Sequence, residues 1–381
     1  MASHFSILRV KEIRRETPDC VSISFEIPAG LEEIFRYKQG QNITIRSREG
    51  GEEIRRSYSI CSSPLEDELR IAVKKVEGGR FSGWANERLQ AGAELEVLPP
   101  TGKFYTELNP SRQKYYLAFA AGSGITPILS LIKTTLATEP HSHFTLVYGN
   151  RHRGSIIFRE ALEAVKDRYM DRFSLHHILS RESMDAPLNQ GRIDAEKCAE
   201  LCGKLIDPQQ ADEVFICGPG EMIFTVRDWL EQKGVDKKKI HFELFHTREG
   251  RPQELSAGGG AADGGVVVGK DQKERGSRKG LARDPGKKMS KVTIRLDGAS
   301  FDFDLAYEGE GILDAALGQG VDLPYACKGG VCSTCRARLK EGKVEMEVNY
   351  ALEADELAAG FVLTCQSHPR TERVVIDFDA K

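Results

Sequence analysis

Four cysteines near the C-terminus carry the clearest chemical signal in the chain. Cys327, Cys332 and Cys335 lie in "YACKGGVCSTCRARL" with the spacing C-x4-C-x2-C, and Cys365 follows further on in "FVLTCQSH". This is the thiolate spacing that holds a plant-type [2Fe–2S] cluster. Structural zinc usually joins two short C-x2-C knuckles, and only one is present here. Gly329 and Gly330 allow a tight loop whose amide N–H groups can reach cluster sulfurs and tune their potential. Such a cluster carries one electron at a time at a low potential, about −400 mV. Something else in the chain must supply that electron.

Candidate donors appear upstream. "RRSYSICSS" sets Arg56, Tyr58 and Ser59 along one strand: a guanidinium that can hold pyrophosphate, an aromatic ring, and a hydroxyl to bond a ring edge. Alone, the run also reads as an ordinary strand. In "GGRFSGWANERL", Gly79, Arg80, Phe81 and Ser82 form a glycine turn into a helix, whose N-terminus suits an anion. "AAGSGITP" follows an apolar strand and opens a helix; Gly122 and Gly124 permit backbone to approach a phosphate, with proline in place of the last glycine of a dinucleotide fingerprint. "CGPGEM", with Cys217, Gly218 and Pro219, repeats the arrangement after a later strand.

In this order the segments resemble the ferredoxin–NADP reductase superfamily over residues 1 to about 247, and with the cysteine module the resemblance covers nearly the whole chain outside one glycine-rich stretch. The order flavin, nicotinamide, iron–sulfur looks like the reductase components of bacterial oxygenases. "PTGKF", "YGNR" and "FREAL" narrow the resemblance to reductases serving an oxygenase of aromatic acyl-CoA thioesters. It implies that Arg56, Tyr58 and Ser59 hold FAD and that Gly79, Arg80, Phe81 and Ser82 meet its pyrophosphate. Gly122, Gly124, Gly218 and Pro219 would line the nucleotide. Thr126, Cys217 and Glu243 would surround the nicotinamide, with Cys217 and Glu243 joining Ser59 along the hydride path. Phe245 of "FELF" matches the aromatic that covers the flavin, a terminal tyrosine in plant-type members. Ser180 and Arg181 of "HHILSRES" match the pair that binds the 2′-phosphate of NADPH, with Arg151 assisting and Glu182 following.

Elements that could position these residues are legible. Residues 1–108 carry short alternating runs ("CVSISFEI", "QNITIRS", "LRIAVKKV", "AELEVLP") that predict an antiparallel β-barrel for the flavin. Residues 109–247 alternate apolar strands ("FTLVYGN", "FSLHHILS", "EVFICGP", "IHFELF") with helical stretches, predicting a doubly wound α/β nicotinamide domain. Residues 248–288 hold "SAGGGAADGG", ten basic and six acidic side chains and no periodicity, which predicts a flexible linker. Residues 289–381 open on a hairpin pattern, "KVTIRLDGASFDFDL", and predict a small β-grasp ferredoxin domain with net charge −6.

A length of 381 residues fits such a multidomain chain, and a net charge of −3 gives no reason to expect nucleic acid or membrane as partner. There is no run of eighteen apolar residues, and "MASHFSILRVKEIRRE" lacks the apolar core of a signal peptide, so a cytoplasmic protein with reduced thiols is expected. Cys20, Cys61, Cys198 and Cys202 read as packing, and the nine histidines show no metal spacing. The reading that unites these features is an electron-transfer reductase: NADPH gives a hydride to FAD, electrons pass singly to the cluster, and the acceptor is a di-iron oxygenase. The reductase of an aromatic-ring dioxygenase or O-demethylase is one alternative, and a non-enzymatic cluster-bearing redox sensor is another.

Overall fold

A computed structural model describes residues 4–48, 53–184, 186–245, 266–268 and 288–380. Phe5–Phe245 forms one compact unit, and the C-terminal domain belongs to a second.

The first unit begins with β1 (Ser6–Thr17), β2 (Cys20–Glu26), β3 (Asn42–Ser47), β4 (Ile54–Ser59), β5 (Leu69–Lys74) and β6 (Glu94–Thr101). They pair antiparallel in the order β4-β3-β6-β1-β2-β5. The two edges meet just past β4, where Ile60 bridges Ile71 and the Cys61 N–H donates to Arg70 O at 2.8 Å. The sheet is thereby closed into the barrel that the alternation predicts. Leu8, Ile23, Ile43, Ile71 and Val97 fill its interior, none of them exposed. β1 is the strand that the sequence hides: only Leu8, Val10 and Thr17 are buried along it, so its charged face masks the pattern. After β5 a glycine turn leads into α1 (Arg80–Glu87).

The same unit continues with β7 (Tyr115–Ala121), α2 (Ile125–Thr138), β8 (His143–Asn150), α3 (Arg159–Arg168), β9 (Phe173–Leu179), α4 (Ala195–Lys204), β10 (Glu213–Gly218), α5 (Gly220–Gln232) and β11 (Ile240–Leu244). All five strands are parallel, in the order β11-β10-β7-β8-β9. Phe119, Phe144, Phe173 and Phe215 are fully buried in the sheet, which explains the apolar runs of a sheet covered on both faces. The chain winds from β7 through β8 to β9, then returns to β10 on the other side of β7. The carboxyl ends of β7 and β10 therefore flank a topological switch point, where such sheets bind ligands.

In the second unit, β12 (Val266–Val268) pairs parallel with β16 (Val344–Met346). β12 falls inside the 248–288 stretch expected as a linker; apart from β12 and Lys288, that stretch lies outside the described residues. β13 (Met289–Leu296) and β14 (Ala299–Ala306) form the expected hairpin, turned by Asp297 and Gly298 at φ of 53° and 75°. Two positive φ angles belong to the primed turn that suits strand twist. α6 (Ile312–Gly318), β15 (Arg336–Glu341), α7 (Ala354–Ala358), β17 (Phe361–Leu363), β18 (Ser367–Pro369) and β19 (Arg373–Asp377) complete the domain. The order β14-β13-β19-β15-β17, with β13 parallel to β19, is that of a β-grasp sheet.

Candidate functional site

The cysteine loop runs between α6 and β15. Cys335 immediately precedes β15 and Cys365 lies just past β17, and these two strands pair with Arg336 opposite Leu363. Thr364 secures the junction, donating its N–H (3.2 Å) and hydroxyl (3.0 Å) to Cys335 O. Strand pairing thus brings together two cysteines that are distant in sequence. Cys327 and Cys332 are joined by the loop, which takes left-handed backbone at Lys328, Gly330 and Ser333 (φ 52°, 74° and 55°). A Cβ on Gly330 would sit 3.1 Å from Val348, so that turn also needs the bare backbone.

The four thiols interact in two pairs, Cys327 with Cys332 and Cys335 with Cys365. The Cys332 thiol bonds to Cys327 and, with the Gly329 and Val331 amides, holds Cys327 down at about 7. Cys335 does the same for Cys365, helped by the Gln366 side chain and the Gly330 amide. The Gly329 N–H lies 3.3 Å from Cys327 Sγ, as expected of the glycines. Among the described residues no three His, Cys, Asp or Glu side chains converge as one ion would require. Two pairs of cysteine side chains, with amides aimed at Cys327 and Cys365, fit a binuclear cluster with two protein ligands per iron better than a single tetrahedral zinc.

The second group of residues assembles at the switch point. The Ser59 hydroxyl, at the end of β4, donates to Glu243 Oε2 on β11 at 3.0 Å. Glu243 stands in register with Cys217 on β10. Cys217 is fully buried, and burial together with the nearby Glu243 carboxylate pushes its thiol up, so it stays a neutral thiol. A barrel strand and two strands of the parallel sheet thus bring Ser59, Cys217 and Glu243 to one place.

The glycine turn closes in beside them. A Cβ on Gly124 would lie 2.1 Å from Cys217 O, and one on Gly218 would lie 2.8 Å from Met222 Cε. Gly122 has φ of 53° and its carbonyl accepts from buried Tyr148 at 2.9 Å. The Thr126 hydroxyl donates to Ser123 O at 3.0 Å, and Pro219 precedes the first turn of α5. Half-buried Phe245, the last described residue of this unit, packs against the core cluster that contains Cys217.

On the barrel side Arg56 is exposed, and its guanidinium donates to Arg55 O at 2.8 Å. Tyr58 is half-buried with its ring centroid 5.6 Å from that of Phe81. Gly79 caps α1 with no side-chain bond, leaving the first-turn amides of Arg80, Phe81 and Ser82 at the helix end. The Ser82 hydroxyl accepts from the Val76 N–H at 3.1 Å, so it closes the glycine turn from within.

Past β8 and β9 the hydrogen-bond ladder continues: the Ser180 N–H donates to Asn150 O at 2.9 Å and the Arg181 N–H to Arg151 O at 2.8 Å. The ladder sets exposed Arg151 and Arg181 side by side. Glu182 turns to Arg153, accepting its N–H at 2.6 Å with the guanidinium 3.8 Å away.

Known proteins share this arrangement. The oxidoreductase FAD-binding domain matches at 7–105, the oxidoreductase NAD-binding domain at 119–228, and the 2Fe-2S iron-sulfur cluster binding domain at 294–370. The chain is 47% identical over 377 residues to a subunit of the 1,2-phenylacetyl-CoA epoxidase of Escherichia coli K12, covering 99% of this chain and 98% of that one. The chain belongs to this family of flavin iron–sulfur reductases. It is also 34% identical over 376 residues to the ferredoxin reductase component of the 3-ketosteroid-9-alpha-monooxygenase of Rhodococcus rhodochrous, covering 98% and 96% of the two chains. Phthalate dioxygenase reductase, a solved structure with 22% identity, superposes with a TM-score of 0.55 over 98% of each chain and shares the fold. The reductase is therefore an NAD(P)H-dependent oxidoreductase that uses FAD and a [2Fe–2S] cluster.

Several contributors were not visible in the sequence. Tyr148 sits inside a strand and reads as core, Ser62 and Ser63 lie in the turn "ICSSPLED", and Ser130 and Thr134 are small polar residues on a largely apolar helix. A polar position on an otherwise buried helix face is the only signal that Ser130 and Thr134 leave.

Proposed function

We propose that the reductase takes electrons from NADPH and delivers them to the di-iron oxygenase of a phenylacetyl-CoA epoxidase, in the cytoplasm, as part of phenylacetate degradation. The full-length 47% identity to a subunit of such an epoxidase carries this reading. No helix among the described residues is long and apolar enough to cross a membrane. The proposed divisions are 1–108 for FAD, 109–247 for the nicotinamide, 248–288 as linker and 289–381 for the cluster; the domain matches ending at 105 and 228 and beginning at 294 support them.

When bound, FAD would supply two-electron hydride chemistry and the cluster one-electron transfer, chemistry that belongs to the cofactors. The chain's part is placement. Arg56 and the first-turn amides of α1 hold the flavin pyrophosphate, Tyr58 lies on its ring system, and Ser59 bonds the ring edge. Gly122, Gly124, Gly218 and Pro219 let the nucleotide approach backbone, and Thr126, Cys217 and Glu243 line the nicotinamide. Glu243 accepts from Ser59 and so links flavin side to nicotinamide side. Phe245 covers the flavin. Ser180 and Arg181, with Arg151 alongside, receive the 2′-phosphate; Glu182, engaged by Arg153, is held from opposing it. Cys327, Cys332, Cys335 and Cys365 hold the cluster.

Reconstitution tests the partner. Purified reductase mixed with a phenylacetyl-CoA epoxidase oxygenase should couple NADPH oxidation to loss of phenylacetyl-CoA. Full-length relatives that serve a ketosteroid monooxygenase and a glycine betaine monooxygenase favour, as second reading, a different oxygenase. Rapid diaphorase activity with no coupling to the epoxidase would select that reading.

A further inference from the structure

The barrel and the parallel sheet meet along a buried polar seam. The Ser130 hydroxyl on α2 donates to Ser62 O at 2.6 Å. One turn further, the Thr134 hydroxyl donates to Ser130 O at 2.6 Å, so the Ser63 hydroxyl, 2.9 Å away, must donate to Thr134 Oγ. All four residues are at most 3% exposed. Outside the seam, Lys133 pairs with Glu66 at 2.8 Å on the surface.

Both sides of this seam lead directly into the site. Ser62 and Ser63 follow Ser59 within the same short stretch, and the Ser62 hydroxyl is fixed to the barrel by Tyr37 at 2.8 Å and the Arg70 N–H at 3.0 Å. α2 starts at the glycine turn that packs on Cys217. An apolar contact between helix and barrel could slide with little cost. Directed hydroxyl bonds in a buried place cannot, because a shift leaves the Ser62 carbonyl or a hydroxyl unsatisfied.

We propose that Ser130 and Thr134 are positioning residues that set the registry between the flavin strand β4 and the nicotinamide turn, and thereby the hydride distance. The inference rests on placing the flavin against Ser59 and the nicotinamide at Cys217. Neither residue need touch a cofactor.

The test is stopped-flow reduction of the flavin by NADPH in the full-length holoprotein, well below the melting temperature. Ser130→Ala and the isosteric Thr134→Val should retain flavin and nucleotide affinity but reduce flavin about tenfold more slowly, within the roughly hundredfold that about 1 Å of misplacement can cost. Lys133→Ala, at the exposed edge, should stay within about twofold of wild type. A purely structural seam would lower Tm and leave the reduction rate untouched. Flavin-loaded Ser130→Ala and Thr134→Val proteins that react at the wild-type rate would overturn the proposal, as would loss of flavin from both. Ser59→Ala in the same assay separates the two levels: if it reacts normally, the placement of the flavin is wrong; if it is slow while the seam variants are normal, only the registry idea fails.

Discussion

The cysteine loop and the switch-point crevice reach chemical precision by different routes. In the loop the backbone itself does the placing: three left-handed residues, a pair of glycines and one strand pairing position the four cysteines. In the crevice, Ser59 and Glu243 are 184 residues apart and meet only because two separate cores pack against each other. If all four cysteines are ligands, loss of any one should disrupt the first site as a whole. The second can be loosened by degrees, because its distances depend on a seam, a turn and a register. Disruption should therefore be all-or-none in the loop and graded in the crevice.

The largest expected effect tests the first half of that contrast. Cys335→Ser should abolish the cluster: iron and acid-labile sulfide, about two each per wild-type chain, should fall to background. The reduced-state EPR signal should vanish with them, while NADPH still drives ferricyanide reduction through the flavin. A variant that kept its full iron would show that the ligand set is wrong.

The crevice should respond more gently. Glu243→Gln keeps the shape and the acceptor oxygen for Ser59 but removes the charge beside Cys217. Hydride transfer to the flavin should slow by between about tenfold and a hundredfold, a cost of orientation rather than of a lost reactant. Flavin content should not change. Stopped-flow flavin reduction would show it, and a rate equal to wild type would remove Glu243 from the hydride path.

Coenzyme choice should respond on a comparable scale, but in binding rather than in rate. Arg181→Ala should raise KM for NADPH by the equivalent of about 1.5–3 kcal/mol, the worth of a hydrogen bond to a charged group, and leave NADH kinetics nearly unchanged. Steady-state kinetics with both coenzymes would expose the opposite result, an equal effect on each.

The same contrast governs what the sequence could reveal. Three cysteines on one loop leave a spacing, so a cluster could be expected from residue types alone. Barrel strands β2 to β6 left their alternation, whereas β1 buries too few residues to do so. Cys217 and Glu243 belong to strands that look like plain core; family resemblance, not pattern, picked them out, and only parallel register sets them side by side. Ser130 and Thr134 left only a polar position on a buried helix face, because their partners Ser62 and Ser63 belong to another domain and no local period encodes a contact across a domain seam. Ser82 adds a role that the pattern did not suggest: its hydroxyl accepts from the Val76 N–H and helps close its own turn.

The smallest expected effect concerns stability away from both sites. His176 and His177 lie side by side on β9, and desolvation lowers both pKa values, with Lys166 adding to the effect on His176. Among the described residues, the His177 Nδ1 is buried without a hydrogen-bond partner, as suits a neutral ring. A depressed histidine binds fewer protons folded than unfolded, so the unfolded chain gains as pH drops. Stability is thus fully present above the ordinary histidine value of 6.5 and declines as pH falls from there through the folded pKa. Carboxylates such as Glu68, held low by its hydrogen bond to Arg70, release their share only at lower pH. Thermal melts between about pH 7.5 and 5.5 should show Tm falling with acid, and His177→Asn should flatten part of that slope. An unchanged slope in the variant would mean that the ring takes up protons equally in the folded and unfolded states, and the acid sensitivity would then have to come from elsewhere in the sheet.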